Sequence, residues 1–244
     1  MSKTIIFLDF DGVLCDSVKE AYILARYAYS KIDVHKPIES DKYDFFMRYR
    51  YLISNSWQYY YLMRIIEENL FSAPLDVEER FEMFIQNGKD ENSDIFNKDF
   101  LVKRKELMEN EFKFWNELET PTLFLERLKK ILNNTNNCTF AILSTKNKEA
   151  IIKKFKAWNI EFDSNFIFEK KDLENLTKGE FIDAFMDSHS EFSNSILIDD
   201  NEENIYSCAN IEKVQAYLTS WGYIKNSQNT KNEDEILKII KEEL

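Results

Sequence analysis

The sequence predicts an α/β protein built on a parallel, doubly wound sheet and interrupted early by a helical insertion. Three observations carry this prediction. A short apolar run, Thr4 to Phe10, opens the chain. From Thr120 onward, short apolar runs alternate with helical patterns, as parallel sheets require. Between them, residues 17–117 show the three- and four-residue apolar spacing of helices almost throughout.

Thr4 to Phe10 reads as the first strand. Ser17-Val18-Lys19-Glu20 has the pattern of a capping box, opening a helix to about Lys31, with Asp16 as part of that cap. Within the insertion, Trp57, Tyr61 and Ile65 form one apolar stripe, and Phe81, Phe84 and Ile85 a second. Leu101, Leu107, Met108, Phe112 and Trp115 place a third helix over Phe100 to Trp115. Loops are expected near Pro37, Pro74, Asn87-Gly88 and Asn92-Ser93. Thr120-Pro121 then reads as a cap followed by proline at the first helical position, with a helix to about Asn133. After it come a strand over Cys138 to Leu143, a helix over Asn147 to Trp158 and a short strand over Asn165 to Phe168. Thr177-x-x-Glu180 is a second capping box, opening a helix to Ser188. A strand over Ser195 to Ile198, a helix over Glu202 to Ala209, a strand over Val214 to Leu218 and a helix from Glu233 complete the order.

Composition excludes several classes. With 44% hydrophobic and 31% charged residues, the chain is neither disordered nor fibrous. No apolar stretch approaches the ~20 residues of a membrane span, and Met-Ser-Lys-Thr is no signal peptide, so a cytoplasmic location is expected. The net charge of -12, without a dense Lys/Arg tract, argues against nucleic acid as partner. Two histidines rule out a histidine-rich metal site. Cys15, Cys138 and Cys208 lack metal spacing and read as reduced thiols.

Chemistry is concentrated at strand ends. Asp9 and Asp11 emerge where the first strand stops, at the edge where α/β sheets bind ligands. Residues two apart point the same way, so both carboxylates can face one site, and their repulsion calls for a cation or a shared proton. Mg²⁺ fits, because it takes one or two carboxylates plus phosphate oxygens. Ser144 or Thr145 ends the second strand with a hydroxyl able to bond a phosphoryl oxygen. Lys178 sits just inside a helix N-terminus, where the macrodipole disfavours a cation. It therefore calls for an anion, and its removal is expected to leave stability unchanged or slightly raised. Lys170 and Lys171 compete for the same role. Asp199-Asp200 closes another apolar strand, where adjacent acids are costly without positive charge.

In order, these segments resemble the motifs of the haloacid dehalogenase-like (HAD) hydrolases, and the helical insertion resembles the cap of the subgroup containing phosphoglycolate phosphatases and β-phosphoglucomutases. The resemblance implies a Rossmann-like core over 1–16 and 118–244 with a helical cap domain over 17–117. In D-F-D-G-V-L-C-D-S it makes Asp9 the nucleophile and Asp11 the general acid/base. Ser144, with Thr145 as the alternative, and Lys178 would hold the phosphoryl group. Mg²⁺ would be held by Asp9, the Asp11 backbone carbonyl, Asp200 and, through water, Asp199. The chain departs from the family at Asn204, where the commoner pattern has an acid. T-S-W-G-Y (Thr219 to Tyr223) also matches, adding to the fold and nothing to the chemistry. The implied activity is a Mg²⁺-dependent phosphatase acting on a small phosphorylated metabolite, with a phosphomutase or a non-catalytic binding protein as alternatives. Arg48, Arg50 and Arg64, among Tyr49, Tyr51, Trp57, Tyr59 and Tyr60, are either substrate contacts or helix packing.

Overall fold

Five apolar runs and the pair Thr230–Lys231 form one parallel sheet. The computed structural model describes residues 3–70, 76–132, 137–225 and 228–244. In chain order the strands are β1 (Lys3–Leu8), β2 (Cys15–Asp16), β3 (Thr120–Pro121), β4 (Cys138–Leu143), β5 (Ile167–Phe168), β6 (Phe192–Asp199), β7 (Val214–Thr219) and β8 (Thr230–Lys231). The main sheet has the order β5-β4-β1-β6-β7-β8, while β2 and β3 pair antiparallel on their own. The chain divides into two compact units, one of Met1–Asp16 with Thr120–Leu244 and the other Ser17–Glu119.

In the first unit the central strands are apolar on both faces. Ile6 and Leu8 of β1 join Ile142 of β4 and Ile196 and Ile198 of β6 on one side. Ile5 and Phe7 join Ala141, Leu143 and Leu197 on the other. This is the two-residue alternation of a strand buried between layers. The first face is covered by α7 (Leu123–Leu128), α8 (Lys148–Ala157) and α11 (Glu233–Glu242), through residues such as Phe124, Phe155 and Ile236. The second is covered by α9 (Lys178–Ser188), through Ile182, Phe185 and Met186, with Cys208 at the end of α10 (Glu202–Ser207).

Thr120-Pro121 does not open a helix. It pairs with Cys15–Asp16 as β3, and the helix begins two residues later, where Thr122 caps Leu125 N–H. The loop expected at Pro74 lies outside the described residues, and the helix ends at Leu128, short of the expected Asn133, with turns over 129–132. Strand β8 was not expected; two residues carry no readable pattern.

The second unit holds α1 (Val18–Ser30), α2 (Ser40–Arg48), α3 (Tyr59–Glu67), α4 (Val77–Gln86), α5 (Glu91–Asn110) and α6 (Phe112–Glu117). The helix expected over Phe100 to Trp115 is broken at Glu111, whose φ of -132° is not helical. Asn92-Ser93 is no loop but the first turn of α5, with Ser93 completing a capping box with Asp90. Most of the aromatic residues are packing. Tyr59 stacks between Phe46 and Phe100 at 5.4 and 5.5 Å. Arg50 lies over Tyr59 and donates to Ile53 O, and Arg64 pairs with Glu68 over Phe84.

Ser17 makes no side-chain cap bond, and Glu20 has another task. Its carboxylate is fully buried and accepts from Arg104 Nε and Nη2 at 2.7 and 2.6 Å and from Trp115 Nε1 at 3.0 Å. Arg104→Met would leave a buried carboxylate without its guanidinium. It should cost about 3–5 kcal/mol in urea unfolding. A loss under about 1 kcal/mol, the range of exposed pairs, would show that this pair is not holding the helices together.

Candidate active site

The sheet register sets the site. Leu8 lies opposite Ile142 on one side and Ile198 on the other, so the residues that follow emerge together. Asp9 N–H donates to Ile198 O at 3.0 Å, which seats Asp9 beside the end of β6. Ser144, the first residue beyond β4, is 1% exposed and donates its backbone N–H to Phe168 O, whereas Thr145 is exposed. Asp199 ends β6 and Asp200 follows it.

Asp9 continues the alternation of Ile5 and Phe7, toward the face that α9 covers. Phe185 of α9 meets Phe7 edge-on at 5.5 Å, and Thr177 and Glu180 close a capping box at the helix start. Together they bring Lys178 over the strand ends. Its Nζ donates to Asp9 Oδ1 and Asp199 Oδ2, each at 2.7 Å, and the residue is 4% exposed. Lys170 and Lys171 are exposed, and Lys171 pairs with Glu169. Burial works against the Lys178 ammonium, but Asp199 and Asp9 outweigh it and push its pKa up.

Asp199 is held from several directions. Asn201 N–H donates to Oδ1 at 2.8 Å, and Asn204 Nδ2 lies 3.1 Å from both oxygens. Asn204, the departure from the family pattern, therefore acts as a donor to this acid. Asp200 lies between two glycines. A Cβ on Gly12 would come within 1.9 Å of its Oδ2, and one on Gly222 within 2.2 Å of its Cβ. Gly12 also has φ +88°, which other residues rarely adopt. Tyr223 N–H donates to Asp200 Oδ2 at 2.6 Å, and Tyr223 OH to Asp16 Oδ1 at 3.0 Å. Asp16 is thus tied to Tyr223. The T-S-W-G-Y segment, expected to add nothing to the chemistry, supplies the backbone donor that holds Asp200.

Asp9, Asp199 and Asp200 each offer a carboxylate oxygen within 4.8 Å of the others. Burial raises the Asp9 pKa to about 6; Lys178 opposes this, while Asp199 and Asp11 add to it. The negative charge at Asp9 is therefore only partly offset, and a hard divalent cation with oxygen ligands fits these donors. Asp11 goes elsewhere. Its Oδ1 accepts from Lys146 Nζ at 2.9 Å. Lys146 carried no role in the sequence analysis. The signal was available, since Lys146 stands just ahead of the N-cap Asn147 of α8, as Lys178 stands at the start of α9.

No protein-family model matches this chain, and no curated protein matches it. Solved structures do. The chain resembles a predicted phosphoglycolate phosphatase from Haemophilus somnus 129PT with a TM-score of 0.65 and 13% identity, over 98% of this chain and 99% of that one. It also resembles SP0104, a haloacid dehalogenase-like family hydrolase from Streptococcus pneumoniae, with a TM-score of 0.57 and 16% identity over 98% of each chain. The fold is the haloacid dehalogenase-like fold. The HAD fold does not fix the reaction: Protein Tyrosine Kinase A of Mycobacterium tuberculosis matches at a TM-score of 0.61 and 11% identity over 98% of both chains.

Proposed function

We propose that this chain is a Mg²⁺-dependent, cytoplasmic phosphatase that hydrolyses a small phosphorylated metabolite through an aspartyl-phosphate on Asp9. The observation that carries the reading is the Lys178 ammonium bonded to Asp9 and Asp199 at the carboxyl edge of the sheet. Three carboxylates around one ammonium suit a divalent cation, which together with Lys178 would meet a phosphoryl group. The phosphatase names of several structural neighbours support the same reading. Among the described residues no helix is long and apolar enough to cross a membrane.

In this reading an Asp9 carboxylate oxygen forms a bond to phosphorus as the bond from phosphorus to the leaving oxygen breaks, and Asp11 gives that oxygen a proton. Asp11 then takes a proton from the water that attacks the aspartyl-phosphate, freeing inorganic phosphate and Asp9. Ser144 and Lys178 hold phosphoryl oxygens, while Asp199 keeps Lys178 in place. Mg²⁺, held by Asp9, Asp200 and the Asp11 backbone carbonyl, would offset phosphoryl charge when bound. The helical unit is proposed to act as the cap.

The test is hydrolysis of p-nitrophenyl phosphate with Mg²⁺ and with excess EDTA. Turnover that EDTA abolishes supports the reading; none under either condition, or full activity in EDTA, overturns it. Metal binding should also depend on pH in a defined sense. In the metal-free protein the Asp9 pKa lies at about 6 against an ordinary 3.8. The folded state then binds more protons than the unfolded state in that window, so this contribution to stability is full below about pH 4 and lost as pH rises through about 6. Mg²⁺ competes for the same carboxylate. Its stabilisation, read as the rise in Tm, should therefore be larger at neutral pH than in mild acid. An equal rise at both would contradict Asp9 as a ligand.

A further inference from the structure

Two lysines meet the two acids from opposite faces of the sheet. Lys178 comes from α9, whose Ile182 and Phe185 lie on the Ile5 and Phe7 face, and it bonds to Asp9. Lys146 comes from the start of α8, whose Ile151 and Phe155 lie on the Ile6 and Leu8 face, and it bonds to Asp11. Phe10 points to the face that α8 covers, where it meets Phe155 at 5.6 Å and stacks on Trp158 at 6.0 Å. The Lys146 ammonium lies 5.5 Å from the Phe10 ring centroid, and its side chain is fully buried.

This placement is costly on its own. Burial strips water from the ammonium, and the N-terminus of α8, capped by Asn147, disfavours a cation. The Asp11 carboxylate opposes both, and its side chain is 21% exposed. Phe10 is fixed by two rings and stands next to Asp11 in sequence, so the ammonium and the carboxylate are located by the same packing.

We propose that Lys146 is a positioning residue for Asp11: its ammonium holds the Asp11 carboxylate in the orientation from which it serves the leaving oxygen and then the water. This rests on the phosphatase reading above. The pairing places a second ammonium beside the second acid, as Lys178 stands beside Asp9. Attack at phosphorus is left to Asp9 and proton transfer to Asp11.

The test compares an alkyl phosphate with p-nitrophenyl phosphate, whose leaving group needs little help from an acid. Lys146→Met should slow the alkyl ester on the order of tenfold or more beyond its effect on p-nitrophenyl phosphate. Quenched reactions should hold a larger fraction of phosphoenzyme, because water is activated more slowly. Lys146→Arg, which can still pair with a carboxylate, should recover part of the loss. Added to Asp11→Asn, Lys146→Met should have little further effect, since the two act as one unit.

Equal losses on both esters, no loss, or full additivity with Asp11→Asn would overturn the proposal. So would failure of both Lys146 variants to fold, which would make the lysine structural. The parent reading is judged separately, by wild-type turnover and its loss in Asp9→Asn. Wild-type activity with an unremarkable Lys146→Met sinks only the role of Lys146.

Discussion

Asp9→Asn is expected to lower turnover of any phosphate ester by on the order of 10⁴-fold or more, the scale of losing a nucleophile. The protein should nevertheless keep its fold. At neutral pH an Asp9 held at about 6 is ionised at a cost to the native state, because burial and the nearby Asp199 and Asp11 disfavour its charge. The amide has the same shape and no charge to desolvate. Lys178 also keeps its bond to Asp199 at 2.7 Å. Without metal, Tm should therefore be unchanged or higher than in the wild type. Circular dichroism, a melting curve and an assay decide the matter. A protein that loses its fold together with its activity would show that Asp9 is needed for packing, and the argument from its pKa would be wrong.

Lys178→Met is expected to cost both stability and activity. It removes the ammonium from two buried carboxylates, 8% and 0% exposed, and breaking a buried pair of this kind costs about 3–5 kcal/mol. This reverses the expectation from sequence. A cation at a helix N-terminus is indeed disfavoured, by about 0.3–1 kcal/mol at a surface, but the pairing with Asp9 and Asp199 is the larger effect. The loss should shrink in acid, where Asp9 can take a proton and relieve one of the charges. Turnover should fall on the order of 10²–10³-fold, as for loss of a donor to developing charge. Urea unfolding at neutral and acidic pH reads the first part. Unchanged stability at both would show that the ammonium is not what holds these acids.

The strands that build the site were legible because they are short, apolar and buried on both faces. Ile5 to Leu8, Ala141 to Leu143 and Ile196 to Ile198 needed no tertiary knowledge to be read. Their ends were legible for the complementary reason: acids directly after such a run are anomalous, and anomalies at a sheet edge mark sites. Local chemistry also served at Thr177 and Glu180, whose capping box forms as expected. The same letters failed at Ser17 and Glu20. There a distant guanidinium and an indole N–H, from Arg104 and Trp115, bind the glutamate instead. No window of a few residues contains that competition. Thr120-Pro121 failed similarly, because its pairing partner, Cys15–Asp16, lies a whole helical unit away in sequence. The aromatic residues of the insertion gave their helices but not their role; Tyr59 proves to be core, and Arg50 and Arg64 have partners within the unit. Lys146 was missed although the dipole argument applied to Lys178 applies to it equally. That its ammonium reaches Asp11 depends on tertiary packing, which no local window contains.

Attack on phosphorus by an Asp9 carboxylate oxygen is tested by trapping the intermediate. The wild-type protein is mixed with Mg²⁺ and a phosphate ester, quenched rapidly in acid, digested and analysed by mass spectrometry. One added phosphoryl group is expected on the peptide carrying Asp9, localised to that residue, and none in Asp9→Asn. Phosphate on another residue, or turnover with none trapped on any residue even in Asp11→Asn, would contradict it.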